Sequence, residues 1–199
     1  MGLISNGTTI FDNGSMASGF GGNLIFISKA TASASASISF TSGIDSTYKE
    51  YIFYFANIHP SNDNTQLRFQ ANAAGGSGFN EVITSTAFLA FVGEGGASPT
   101  LGYETGRDQA QGTGFQQITG DIGFDNDQVG AGYLHLFNPS STTYVKHFIA
   151  RASSNHPSDR ANYFYSAGYF NTTSAIDQIQ FQMGAGNIDS GEIILFGVN

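Results

Sequence analysis

Between Thr31 and Phe40 the chain reads TASASASISF, with Ala32, Ala34, Ala36, Ile38 and Phe40 at one parity and Ser or Thr at the other. Successive side chains of a β-strand point to opposite faces, so strict alternation describes a strand with one packed side and one wet side. Gln178–Met183 alternates in the same way, and so does Thr65–Ala71, where Leu67, Phe69 and Ala71 oppose Gln66, Arg68 and Gln70. Tyr48–Ile58 is apolar at both parities in its middle, as expected of a central strand covered on both faces. Further strand candidates are 23–29, 81–91, 115–122, 132–137, 143–150, 162–170 and 191–198. No segment sustains an i, i+3, i+4, i+7 apolar stripe, so no long helix is expected. About ten short strands with turn clusters between them predict an all-β fold: a single antiparallel β-sandwich, jelly-roll-like.

The best hairpin lies in 132–150, where GYLHLF and TYVKHF flank NPSST. With the turn centred between Ser140 and Ser141, His135 faces Lys146, and His147 lies opposite Leu134 on the other face. The small side chains of Ala32, Ala34 and Ala36 suggest close approach by another layer or another subunit. Residues 93–114 form the longest segment without a strand signal, Gly-rich and carrying Glu94, Glu104, Arg107 and Asp108. Loops of that length are usually functional or interfacial. No composition break divides the chain, so one domain over 23–199 is expected. It follows an N-terminal segment, 1–22, whose short Thr8–Phe11 strand between Asn-Gly turns suits an attachment arm.

Only 11% of the 199 residues are charged and the net charge is −8, which argues against nucleic acid as a partner. The chain has no cysteine, so neither disulfides nor thiolate chemistry enter. The N-terminus shows no signal-peptide pattern, and no apolar run is long enough for a membrane helix, so membrane insertion is not expected. Without a secretory signal, the Asn6, Asn13 and Asn171 sequons read as chance matches.

Catalytic signatures are missing. There is no GxSxG elbow, no GxGxxG or P-loop, and no HxH or HExxH spacing among His59, His135, His147 and His156. Hence no catalytic, cofactor-binding or metal residue is assigned, and no cofactor. Asp121, Asp125 and Asp127 with Asn126 are the best ionic cluster. They read as a solvated turn or, alternatively, as a divalent-cation loop with non-EF-hand spacing. Tyr103, Tyr163, Tyr165 and Tyr169 are candidates for stacking on a sugar, although core packing is the commoner use of aromatic residues at period two.

Four strings, TYKEYIFYFANIHPSNDN (47–64), YLHLFNPSSTTYVKHF (133–148), GYFNTTSAIDQIQF (168–181) and the close GNIDSGEIILFGV (186–198), carry a likeness that spans nearly the whole chain. They resemble a family of structural proteins from tailed bacteriophages of aquatic, notably cyanobacterial, hosts. The SGxIxLFG ending resembles the last strand of phage fibre and appendage domains. The resemblance implies a non-enzymatic component of the virion's outer surface, in a tail-associated fibre or spike. A homotrimer contacting other virion proteins and a host-surface glycan is expected. A capsid decoration protein is the alternative, and a carbohydrate-binding module or polysaccharide-degrading jelly-roll enzyme the alternative of another class.

Overall fold

The computed structural model describes residues 23–199 in full and, ahead of them, the backbone of three short strands: β1 (Leu3–Ser5), β2 (Thr8–Asp12) and β3 (Ser15–Met16). These pair in chain order as an antiparallel meander. β2 contains the expected Thr8–Phe11 strand, while the turn pairs Asn6-Gly7 and Asn13-Gly14 lie outside the described residues.

The strands that follow are β4 (Leu24–Thr31), β5 (Ile38–Phe40), β6 (Glu50–Pro60), β7 (Leu67–Ala73), β8 (Ile83–Gly93) and β9 (Thr100–Tyr103). Then come β10 (Ala110–Gly112), β11 (Gln116–Gln117), β12 (Gly130–Phe137), β13 (Lys146–His156), β14 (Arg160–Phe170), β15 (Ile176–Met183) and β16 (Ile188–Val198). They build two antiparallel sheets packed as a β-sandwich. The large sheet has nine strands, ordered β10-β8-β14-β13-β12-β6-β16-β4 with β9 also on β8; the small one runs β11-β7-β15-β5. The chain passes repeatedly from one sheet to the other, and a sequential β12–β13–β14 meander lies within the large sheet. β4 and β16 meet with Val198 opposite Leu24.

Phenylalanine fills the space between the sheets. Phe53 of the large sheet and Phe69 and Phe181 of the small one are fully buried, as are Phe148 and Phe170. Phe69 lies edge-on to Phe148 at 5.0 Å and to Phe170 at 5.9 Å. Each such ring contributes about 1.5–3 kcal/mol through burial alone. β15 and β7 realise the alternation in their sequences: Ile179, Phe181 and Met183 point inward with Leu67, Phe69 and Ala71.

Five expectations need correction. TASASASISF is not one strand: β4 ends at Thr31, and the chain crosses to the small sheet before β5 begins at Ile38. Ala34 takes a φ of 48°, and Ala34 and Ala36 are exposed while Ala32 is buried, so the three alanines do not share one packed face. The 115–122 segment is a strand only at β11, and elsewhere it is tied by single contacts such as Thr65 with Ile122. The 93–114 loop contains β9 and β10, both added to β8.

The hairpin register differs as well, with His135 opposite Ile149 and Leu136 opposite Phe148. The cause is a longer connection. Asn138 adopts a left-handed φ of 47° and Ser141 Oγ accepts the Thr143 and Tyr144 amides, so pairing across the hairpin starts only at Phe148. A shift by an odd number of residues exchanges faces, and His135 and His147 therefore share one. Finally, β6 is central in its sheet but covered on one face only, and Tyr54 is 37% exposed.

Candidate functional site: the open face of the large sheet

A nine-stranded sheet against a four-stranded one leaves much side-chain surface to account for. On the inner side, beyond the reach of β5–β15, the segment 115–123 closes the sandwich with polar groups. Asp121 is the hub. Its Oδ2 accepts from Arg107 Nη2 at 2.7 Å and its Oδ1 accepts from Gln66 Nε2. Its carbonyl accepts from Ser154 Oγ and Asn162 Nδ2, each at 3.2 Å. Nearby, His156 Nδ1 accepts the Ser158 amide at 3.0 Å. Burial, reinforced by the Arg160 guanidinium, holds the His156 imidazole below its ordinary pKa. Asp121 is thus a structural ligand of Arg107, while Asp125 and Asp127 are exposed in a turn. The three do not converge, and among the described residues no trio of His, Asp or Glu is placed to hold a metal ion.

The outer side of the large sheet is different, because no second layer among the described residues covers it. Direct cross-strand partners run in register across six strands: Tyr54 of β6, Tyr133 of β12, Arg151 of β13, Tyr165 of β14, Phe88 of β8 and Tyr103 of β9. At about 4.8 Å per strand this row is about 24 Å long. Its rings hold one another edge to face. Tyr54 and Tyr133 are 6.1 Å apart at 68°, and Phe88 and Tyr103 are 5.1 Å apart at 88°. Tyr163 stands at 90° to Tyr165, 4.8 Å away. Such pairing stabilises by about 0.5–1.5 kcal/mol each and pins the rings against rotation.

Tyr103, Tyr163, Tyr165 and Tyr169, for which core packing competed with ligand contact in the sequence, all stand on this open face. Tyr103 and Tyr163 are 44% and 41% exposed. Tyr54, Phe88, Tyr133 and Arg151 complete the row and were not singled out from the sequence. A signal for them exists. In Asn162–Phe170 the phenylalanines share one parity and the tyrosines the other, because a phenol oxygen retains a hydrogen-bonding partner only where water reaches it.

The face is not flat. One hollow of about 240 Å³ is lined by Tyr133, His135, Phe137, Ile149 and Arg151. A second, of about 350 Å³, lies beside it against Tyr163, Val92, Ala90, Ser153 and Ala161. Two pairs of charged side chains stand on the same face. Lys29 Nζ meets Glu192 Oε1 at 2.7 Å, and His135 Nδ1 meets Glu50. Lys29 holds the Glu192 carboxyl below the usual carboxylate range through its hydrogen bond. Arg151, exposed among aromatic rings, has no hydrogen-bond or ion-pair partner among the described residues.

A third hollow, of about 410 Å³, opens where β6 and β16 bulge, lined by Asn57, His59, Asn126, Asp189 and Ser190. His59 Nε2 lies 3.2 Å from the Phe124 and Asp125 carbonyls, and Nδ1 lies 3.5 Å from Asp189. Ser190 is the register partner of His59 but makes no hydrogen bond to its ring, so the nucleophile–base contact of hydrolases is not formed.

Comparison with protein-family models, with curated proteins and with solved structures returned no match.

Proposed function

We propose that this chain is a non-enzymatic structural protein of a tailed-bacteriophage virion, a component of a tail-associated fibre or spike that contributes contact with the host surface. The observation that carries the reading is the tyrosine–arginine row on the uncovered side of the large sheet. An exposed aromatic surface of this extent marks an interaction site on a soluble domain. Four of the six residues of the row are tyrosines, the residue type most enriched in reversible recognition surfaces. The resemblance of 47–64, 133–148, 168–181 and 186–198 to phage structural proteins supports the virion setting. In this reading β1–β3 serve as the attachment arm, and the sandwich assembles as a homotrimer that leaves the row accessible.

A cryo-EM map of the phage particle tests the location. Density fitting this sandwich on a tail appendage is the expected result. Density on the capsid faces would replace the tail reading with head decoration. Absence of the chain from purified particles would overturn both. Light scattering on the purified protein tests the trimer.

A further inference from the structure

We infer that the Tyr133–Arg151–Tyr165 segment of the open face is a binding site for an acidic polysaccharide, with Arg151 taking the carboxylate of a uronate residue. The inference rests on the proposal that this face is a contact surface, and it commits that surface to one class of ligand. Three observations support it.

The first is the chemistry of the row. Arg151 stands between Tyr133 on one neighbouring strand and Tyr165 on the other, each its direct cross-strand partner. A guanidinium offers paired N–H donors that match a planar carboxylate in two parallel hydrogen bonds. The flanking ring faces are electron-rich and attract the slightly positive C–H face of a pyranose. A uronate presents both features on one sugar.

The second is charge. The protein carries −8 overall, yet the one formal charge in the middle of this face is positive, and among the described residues no carboxylate has claimed it. Of the other charges on this face, Glu50 meets His135, and Lys29 meets Glu192 on the far strands β4 and β16. An exposed arginine in an aromatic surround complements an anion and would be poorly served by a second copy of the same surface. A copy would bring arginine and tyrosine against arginine and tyrosine, with like charges opposed.

The third is shape. Arg151 lines the first hollow and Ser153, two residues along the same strand, lines the second. Side chains at i and i+2 on a strand share a face about 6.8 Å apart. The two hollows therefore lie at successive outward positions of β13, with Tyr163 lining the second and Tyr165 beside Arg151. Consecutive depressions suit the repeating units of a linear polymer better than a single small molecule.

The test is binding of the full chain to alginate, a linear polyuronate, with neutral dextran as the reference, followed by calorimetry or affinity electrophoresis. Alginate should bind and dextran should not, with affinity falling as salt rises. Arg151→Gln and Tyr165→Ala should each weaken alginate binding at least tenfold. Lys49→Gln, which removes the same charge outside the row, should change it less than twofold. Circular dichroism of each variant confirms that the fold is kept. Failure of alginate to bind the folded protein, or equal losses in Arg151→Gln and Lys49→Gln, overturns the inference. So does an oligomer that falls apart in Arg151→Gln and Tyr165→Ala, because the face would then belong to a second copy. The location of the chain on a tail appendage is read independently from the particle map, so either conclusion can fail without the other.

Discussion

Arg107 Nη2 donates to Asp121 Oδ2 at 2.7 Å, and this contact fastens the connection between β9 and β10 onto the segment that closes the polar end of the sandwich. Arg107 also reaches Glu104 at 3.1 Å. Asp121 accepts from Gln66 as well, so one carboxylate joins three parts of the chain. Asp121→Ala would leave Arg107 and Gln66 short of an acceptor in a mostly buried setting. Arg107 keeps Glu104, so a loss of about 1–3 kcal/mol is expected, from the charge-assisted hydrogen bonds that Arg107 and Gln66 give up. Urea denaturation checks it: the midpoint should fall with the slope unchanged. An unaltered midpoint would show that this end contributes little to global stability.

Below neutral pH the fold should weaken through His156. Its pKa is lowered in the folded protein, chiefly by burial and then by Arg160, with Asp121 and Asp63 opposing. The unfolded chain therefore binds the proton more readily. Stability rises with pH wherever the unfolded state holds more protons, so this contribution is complete above the ordinary histidine value of 6.5. It is lost progressively as pH falls from there through the lower folded value. His156→Asn keeps an acceptor for the Ser158 amide and should flatten the slope of melting temperature against pH in that window. An identical slope in the variant would assign it to other groups.

Lys146 is fully buried, opposite Phe170, with its ammonium donating to the Thr172 carbonyl at 3.2 Å. Burial pushes its pKa down, partly offset by Glu81. A charge held by one neutral acceptor is costly to desolvate, and a hydrophobic side chain of similar length is often at least as stable there. Lys146→Met should raise stability by about 1 kcal/mol, visible as a higher melting temperature. A drop of that size would mean that the Thr172 contact outweighs the desolvation.

Gly191 occupies a φ of 117° at the bulged end of β16, and a Cβ there would meet the Asn57 carbonyl oxygen at 2.6 Å. Asn57 is itself left-handed at 53°. The two conformations together let β16 slip register twice against β6. Gly191→Ala carries both strain and a clash with backbone, and a cost of about 2–3 kcal/mol is expected. Hydrogen exchange should show the loss first at 188–192. Protection unchanged there would mean that the bulge rearranges at little cost.

How much of this was legible in the sequence depended on how strongly each residue type prefers a side. Leu67, Phe69, Ile179 and Phe181 lose much by facing water, so β7 and β15 follow from alternation alone. Ala34 and Ala36 lose little either way, so an equally regular pattern did not hold the chain in a strand. The His135–Ile149 pairing was hidden because register depends on how many residues the turn consumes, and Asn138 and Ser141 consume more than the NPSST string suggested. β9 and β10 carry weak strand signals of their own and gain their pairing from β8. The open face was half visible. Tyr163 and Tyr165 were identifiable as aromatic residues at period two, but only the arrangement of both sheets decides which parity is left uncovered. Arg151 gives no sequence signal at all, since its meaning comes from its neighbours on other strands.

Leu24 and Val198 are partners across the β4–β16 ladder, so the described sandwich begins and ends at the same corner of one sheet. The consequence is mechanical. Tension applied between those two residues loads the ladder one hydrogen bond at a time, from Val198 and Leu24 toward Glu192 and Thr31, which is peeling and not shear. Tension entering through residue 24 and leaving through a ligand held at Arg151 takes another route. It runs oblique to the strands, since the row through Arg151 meets β4 at Lys29, and so loads the β4–β16 ladder partly lengthwise, with its hydrogen bonds sharing the force. A chain held in that second way would resist with several hydrogen bonds together instead of one after another.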